Sequence, residues 1–257
     1  MENSYKSFVI IGDSHGNHKL IIHRIKALQL TDMTLIHVGD FGVGFKNENE
    51  DISDLHKLDS VLVDKNCILY VIRGNHDNPI LFDGKWSNVF KNIRMVADYT
   101  VINVNGDDIL LVGGAISVDR KPRLREMLNC ASIGIFKELY WYDENFVLDE
   151  DKLKEIKGVR YVVTHTCPSF VSPINDFNNH LNSHSGFIER FISNGDSKLK
   201  DDLNKERKDL SKMYEILKEN NYIQKWFYGH FHCSNVDVYE DTEFITLNID
   251  QFLEVRQ

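Results

Sequence analysis

Short β-branched runs alternate with stretches of helical periodicity through the first third of the chain. Phe8-Val9-Ile10-Ile11 stops at Gly12 and the polar turn Asp13-Ser14-His15-Gly16-Asn17. Leu20, Ile21, Ile25 and Leu28 then recur at the three- and four-residue spacing of one helix face. The cycle repeats with Met33 to Val38, ending in Gly39-Asp40-Phe41-Gly42, and with a helix about Ile52, Leu55, Leu58 and Leu62. A third apolar run, Cys67 to Ile72, leads to Gly74-Asn75-His76-Asp77. Strand–helix alternation of this kind predicts right-handed βαβ crossovers in a largely buried sheet, with all three glycine-led turns on one edge. Strand ends of α/β proteins are where sites are built.

Further on the pattern changes. Val96 to Val104 and Ile109 to Val112 flank Asn105-Gly106-Asp107, a hairpin turn sequence. A helix is predicted from Asp149 to Lys157, stopped by Gly158 as a left-handed cap. The strand Val159 to Thr164 ends at His165-Thr166-Cys167-Pro168. A polar loop from Ile174 to His180 then leads to a charged amphipathic helix with Leu199, Leu203, Leu210, Met213 and Leu217 near one face. Trp226-Phe227-Tyr228 ends at Gly229-His230-Phe231-His232, and Val236 to Tyr239 and Phe244 to Leu247 close the pattern. With no repeat, low-complexity tract or linker, residues 1–257 are expected to form one domain, with an inserted cap-like helical segment at about 169–222.

Composition narrows the function classes. The 257 residues are 42% hydrophobic and 27% charged, ordinary for a globular chain. The formal net charge of −9 gives no basic field, which argues against non-specific coating of nucleic acid. No run is long and apolar enough to predict a membrane span or a signal sequence, so the cytoplasm is the expected location. The four cysteines, Cys67, Cys130, Cys167 and Cys233, form no CxxC pair and suggest neither a zinc knuckle nor a disulfide framework. Oligomeric state is not encoded in these features.

The chemistry gathers at the strand ends: Asp13, His15, Asp40, Asn75, His76, His165, His230 and His232. Carboxylates, imidazoles and an amide oxygen suit manganese, iron or zinc better than a thiolate site does. They are too many for one ion and about the right number for two, if one carboxylate bridges. Any one of these turns alone is weak evidence, since Gly-Asp at a strand end is usually only a turn. Five such strand ends in one chain make a constellation. The remaining histidines, including His18, His23, His37 and His56, read as scaffold.

Asp13-x-His15, Gly39-Asp40, Gly74-Asn75-His76-Asp77, His165 and Gly229-His230-x-His232, taken in order, resemble the calcineurin-like metallophosphoesterase family. The resemblance implies an α/β fold, a four-layer α/β/β/α sandwich. It implies one metal held by Asp13, His15, Asp40 and His232, and a second held by Asp40, Asn75, His165 and His230, with Asp40 bridging. His76 is similar to the family's proton donor, and Asp77 is expected to orient it. The implied activity is hydrolysis of a phosphate ester by metal-activated hydroxide, with manganese the first expected ion and iron, zinc or nickel the alternatives.

The branch of the family is less sharply marked. Gly39-Asp40-Phe41-Gly42 lacks the Asp-Arg-Gly of the protein serine/threonine phosphatases, and Asp77 stands where that branch has Glu. The chain looks more like the bacterial and phage phosphoesterases, so a phosphodiesterase acting on a nucleotide or nucleic-acid type substrate is expected. A phosphomonoesterase, or a non-catalytic metal-bound scaffold, are the alternatives. Arg120, Arg123 and Arg125 follow the Gly113-Gly114 strand end and are candidate phosphate contacts because arginine grips an anion bidentately, Arg120 first because it is nearest the strand end. From the cap, Phe177, Asn178, His180 and His184 are candidate substrate contacts.

Overall fold

Successive residues of β1 (Ser7–Ile11) enter different cores. Val9 and Ile11 pack with helical residues, while Phe8 and Ile10 pack against a second sheet. This is the period-two division of a strand buried on both faces, and it explains why the run is apolar throughout. The structure, a computed structural model, describes residues 7–173 and 183–256.

The first sheet has five strands in the order β11-β1-β2-β3-β4, where β2 is Thr34–His37, β3 Ile68–Val71, β4 Ile93–Met95 and β11 Phe252–Arg256. β1 to β4 run parallel, with Val9 beside Leu35 and Leu35 beside Leu69; β11 joins β1 antiparallel. Helices α1 (His18–Ala27) and α2 (Glu48–Asp64) supply the crossovers and cover the outer face through Ile21, Ile25, Leu55, Leu58 and Leu62.

The second sheet has six strands in the order β5-β6-β7-β8-β10-β9. These are β5 (Thr100–Val104), β6 (Asp107–Val112), β7 (Val159–Thr164), β8 (Lys225–Tyr228), β9 (Asn235–Tyr239) and β10 (Thr242–Thr246). Its inner face, including Ile109, Leu111, Tyr161, Val163 and Phe227, meets Phe8, Ile10, Ile36 and Ile72 of the first sheet. Its outer face is covered by α4 (Glu150–Glu155) and α6 (Leu199–Lys218), through Leu153, Leu210, Met213, Tyr214 and Leu217. The layers are therefore helix, sheet, sheet, helix. Each fully buried large apolar side chain in the three cores contributes roughly 1.5–3 kcal/mol.

Two further helices lie outside this scheme. α3 (Arg120–Ser132) buries none of its residues, so it carries no apolar stripe that a periodicity reading detects. α5 (Ser183–Ser193) precedes α6. β4 and β11 were also not expected, and β5 begins at Thr100 rather than Val96. Segment 169–222 is not uniform: α6 is a core layer helix between β7 and β8, while Ile188, Phe191, Leu203 and Arg207 line a cleft at the strand ends.

Arg73, directly after the third apolar run, ties the layers together. Its guanidinium pairs with Asp98 at 2.7 Å and donates to the carbonyls of Asp143, Glu144 and Asn145. Asp98 in turn accepts from the Gly113 amide at 2.8 Å. The loop carrying Glu144 is thereby fixed beneath the strand ends.

Candidate active site

Parallel order puts the C-terminal ends of β1, β2 and β3 on one edge, and those of β7 and β8 beside them. The backbone turns sharply there. His15, Asp40, His230 and His232 all have positive φ, at 45°, 54°, 67° and 50°. Left-handed backbone is uncommon for such residues and is tolerated where surrounding structure enforces it, often at functional sites. Two glycines allow the approach. A Cβ on Gly74 would lie 2.2 Å from the Asp40 amide and carboxylate, and one on Gly229 would lie 2.0 Å from Asp13 Oδ1.

The predicted ligands fall into two groups whose donor atoms lie within 4.8 Å of one another: Asp13, His15, Asp40 and His232, and Asp40, His165 and His230. Nε2 of His15 and of His232 are 3.0 Å apart, and His232 Nε2 is 3.4 Å from Asp13 Oδ2. In the second group His165 Nε2 lies 3.1 Å from Asp40 Oδ1 and 3.1 Å from Asn75 Oδ1. His165 Nδ1 bonds the Val38 carbonyl at 2.8 Å, which turns Nε2 toward the carboxylate.

These donors fit two divalent cations. Asp13 Oδ1 is buried and has no hydrogen-bond partner among the described residues, although Asp13 Oδ2 accepts from the His230 amide at 3.0 Å. A buried carboxylate oxygen left without a donor is costly unless a cation faces it. Burial opposes ionisation of Asp40, but the His165 imidazole overrides it and holds the carboxyl well below the usual range. Burial, reinforced by His165, keeps His230 neutral as a ligand must be. His18 and His37 are scaffold: they bond the Phe41 carbonyl at 2.9 Å and Ser14 Oγ at 3.0 Å.

His76 lies beside this cluster, its ring 4.7 Å from that of His15, with its amide donating to Asp40 Oδ1 at 2.7 Å. Burial, with Arg123 adding to it, pushes its pKa down to about 4. The expected role of Asp77 needs correction. Its carboxylate accepts from the amides of Phe41, Gly42, Val43 and Gly74, at 3.1, 2.7, 3.2 and 2.8 Å. Those donors saturate it, so Asp77 anchors the loop after β2 and does not orient the imidazole. Burial lifts its pKa to about 6, against the pull of the amides.

The group in contact with His76 is Arg123, whose Nη2 is 2.6 Å from His76 Nε2. Asp119 holds the other side of the guanidinium at 2.7 Å, and Nη1 is buried without a hydrogen-bond partner among the described residues. Arg120 is placed differently. It pairs with Asp196 at 2.6 Å and Asp202 at 2.7 Å, fastening α3 to the start of α6, and it does not line the cleft. Arg125 donates to the Asn194 carbonyl at 2.6 Å. Phe177, Asn178 and His180 lie outside the described residues.

Sequence reading missed a supporting network. Asn75 Nδ2 donates to Ser117 Oγ at 3.0 Å, which leaves Oδ1 toward the second cluster. The Ser117 amide donates to Glu144 Oε1 at 2.8 Å. Burial lifts Glu144 to about 8, and lifts Glu206, on the cleft wall, to about 7. The Gly113-Gly114 strand end was the only local signal, because the partners lie far apart in sequence.

The family model for calcineurin-like phosphoesterases matches residues 6–234. No curated protein sequence matches the chain. Among solved structures, the Thermus thermophilus protein TT1561 aligns over 98% of this chain and 99% of its own, with TM-score 0.55 and 10% identity. A dimetal phosphatase from Danio rerio aligns over 98% of this chain and 93% of its own, with TM-score 0.52 and 10% identity. At such identity these structures speak to the fold alone. The chain belongs to the calcineurin-like phosphoesterase family and is a metal-dependent phosphoric ester hydrolase.

Proposed function

We propose that this hydrolase is a di-metal phosphodiesterase acting on small nucleotide-type esters. In this reading Asp13, His15, Asp40 and His232 hold one divalent cation, and Asp40, Asn75, His165 and His230 hold the other, with manganese preferred. The observation that carries it is convergence: His15, Asp40, Asn75, His230, His232, His76 and Arg123 all line one cleft. When bound, the cations supply positive charge to the phosphoryl oxygens and lower the pKa of an attacking water.

The chain's own residues have narrower tasks. Arg123, which lines the cleft, turns its guanidinium to a non-bridging phosphoryl oxygen. His76, whose Nε2 is taken by that guanidinium, donates a hydrogen bond from its other ring nitrogen to the departing oxygen. Arg207, the second arginine of the cleft, donates from Nε and Nη2 to backbone carbonyls, which leaves Arg123 as the arginine beside His76. The segment at 169–222 contributes its cleft-facing residues as a partial cap within a single domain.

The test is hydrolysis of an aryl phosphodiester and the matching monoester by manganese-loaded protein, with metal content measured in parallel. Faster diester turnover, abolished in His76→Ala at unchanged metal content, is the expected result. A monoester preference overturns the diester assignment. Folded protein that binds no metal and hydrolyses neither ester overturns the whole reading.

A further inference from the structure

We infer that the cleft selects phosphodiesters that carry their charge on a single phosphoryl group and place an uncharged aromatic body against an apolar wall. This deepens the phosphodiesterase reading above and rests on it.

The cleft encloses about 720 Å³, within the range of about 300–1,000 Å³ usual for small-molecule sites. Its metal edge is polar, and away from the candidate ligands carbon side chains predominate, interspersed with Ser169, Ser172 and Asn204. Val118, Phe170, Val171, Ile188, Phe191 and Leu203 line it. Val118 comes from the approach to α3, Phe170 and Val171 follow β7, and the rest belong to α5 and α6. Three separate segments of chain therefore contribute to one apolar surface.

Charge along the cleft decides what cannot sit there. No lysine lines it among the described residues. Arg207 donates to the carbonyls of Cys167, Pro168 and Val171, and its guanidinium lies over the Phe231 ring at 5.9 Å. Arg123 is at the floor beside His76. Beyond the candidate ligands, the acidic lining groups are Asp119, paired with Arg123 at 2.7 Å, and Glu206, whose pKa burial lifts to about 7.

A second phosphate on the substrate would leave the floor and meet these acids or apolar carbon. Burying an anion without a cationic partner is heavily unfavourable. An extended nucleic-acid strand needs a basic track along its backbone, which this wall does not offer. An uncharged ring, by contrast, gains from burial against phenylalanine and leucine side chains. Nucleoside polyphosphates and oligonucleotides are disfavoured for the same reason that a base-bearing or aryl monophosphodiester is favoured.

The test holds the leaving group constant. Nitrophenyl phosphodiesters of methanol, of phenol, of a nucleoside, and of a nucleoside bearing one additional phosphate are compared on manganese-loaded protein. Binding of each to the same protein is measured by calorimetry. The phenyl and nucleoside esters are expected to exceed the methyl ester by about tenfold or more in kcat/KM, chiefly through KM, and the extra phosphate to remove that gain. Phe191→Ala is expected to narrow the gap between bodies, and Leu203→Lys to restore acceptance of the extra phosphate. Equal binding of all bodies, or preference for the additional phosphate, overturns this inference and leaves the phosphodiesterase reading standing. Body-dependent binding with no hydrolysis overturns the phosphodiesterase reading and leaves the selectivity intact.

Discussion

Arg123 Nη2 lies 2.6 Å from His76 Nε2, so the guanidinium donates to that nitrogen and the imidazole is neutral there. The arginine that is available to a phosphate and the histidine that is available to a leaving group are therefore held as a pair. Asp119, at 2.7 Å from Arg123 Nε, keeps the pair in register from the N-cap position of α3.

Arg123→Ala is predicted to lower kcat/KM for a phosphodiester by about 10²–10³-fold, the usual loss when one oriented donor to a developing anion is removed. Metal content is expected to stay at the wild-type value, since Arg123 touches none of the candidate ligands' donor atoms. Arg123→Lys is predicted to recover little, because a point charge does not reproduce the planar fork. Loss of metal in Arg123→Ala would assign the residue to the centre's integrity instead.

Asp77→Asn separates anchoring from orienting. An amide in place of the carboxylate turns an NH2 group toward backbone amides, leaving donors unpaired in a buried loop. The expected cost is about 2–4 kcal/mol, read as a lower denaturation midpoint, with weakened metal binding because the loop after β2 begins with Asp40. An unchanged midpoint with a selective fall in kcat would return Asp77 to the orienting role.

The residues that were legible in sequence are those whose neighbours identify them. Asp13, Asp40 and Asn75 each follow a β-branched run and a glycine, so strand, turn and ligand are read together. Asp77 shows the limit: its position in the motif was visible, but its partners are the amides of Phe41, Gly42 and Val43, more than thirty residues away in sequence. Ser117 and Glu144 were invisible for the same reason, being joined to the site by contacts across the fold. α3 escaped because a helix with no buried side chain has no apolar period. Arg120 was favoured over Arg123 by nearness to a strand end, yet helical geometry turns the two apart, one to Asp196 and the other to His76.

The share of stability that comes from Glu206 and Glu144 is predicted to fall as pH rises. Burial lifts Glu206 to about 7, against the Ile116 and Phe146 amides, and lifts Glu144 to about 8, against the Ser117 amide. Both lie above the ordinary glutamate value of 4.5, so the folded state holds these protons more tightly than the unfolded chain does. The resulting stabilisation is complete below the unfolded value and is lost as pH passes through the folded values. In denaturation of metal-free protein, the difference between wild type and a Gln variant should show a slope between about pH 5 and pH 9 worth roughly 3 kcal/mol for Glu206 and more for Glu144. Glu206→Gln, neutral throughout, lacks its share of that slope. A variant whose profile runs parallel to wild type would refute the assignment.

Ser117→Ala tests the support of the second cluster. Asn75 Nδ2 loses its acceptor at 3.0 Å, so the amide is free to rotate and present nitrogen rather than oxygen toward His165. Affinity for one of two manganese ions is predicted to drop by about 10–100-fold, with the other unchanged. Titration calorimetry reads both sites separately. Equal weakening of both, or of neither, would detach Ser117 from the ligand.

Gly229→Ala tests the closeness of the two sheets at the first cluster. The new methyl would meet Asp13 Oδ1 at 2.0 Å and the Val38 side chain at 2.6 Å. Asp13 cannot retreat easily, because its other oxygen receives the His230 amide at 3.0 Å and its backbone carbonyl receives the Asp250 amide at 2.8 Å. Either Asp13 leaves its place among the ligands or the turn carrying His230 and His232 moves outward, and each separates the donors of the first cluster. Metal stoichiometry is predicted to fall below two, together with a stability loss of about 1–3 kcal/mol from the forced overlap. Gly106→Ala is the control. That glycine sits in the β5–β6 hairpin with φ of +104° and open space around it, so it carries backbone strain but no clash. If it loses metal to the same extent as Gly229→Ala, general destabilisation explains both, and close approach at Asp13 is not what holds the centre together.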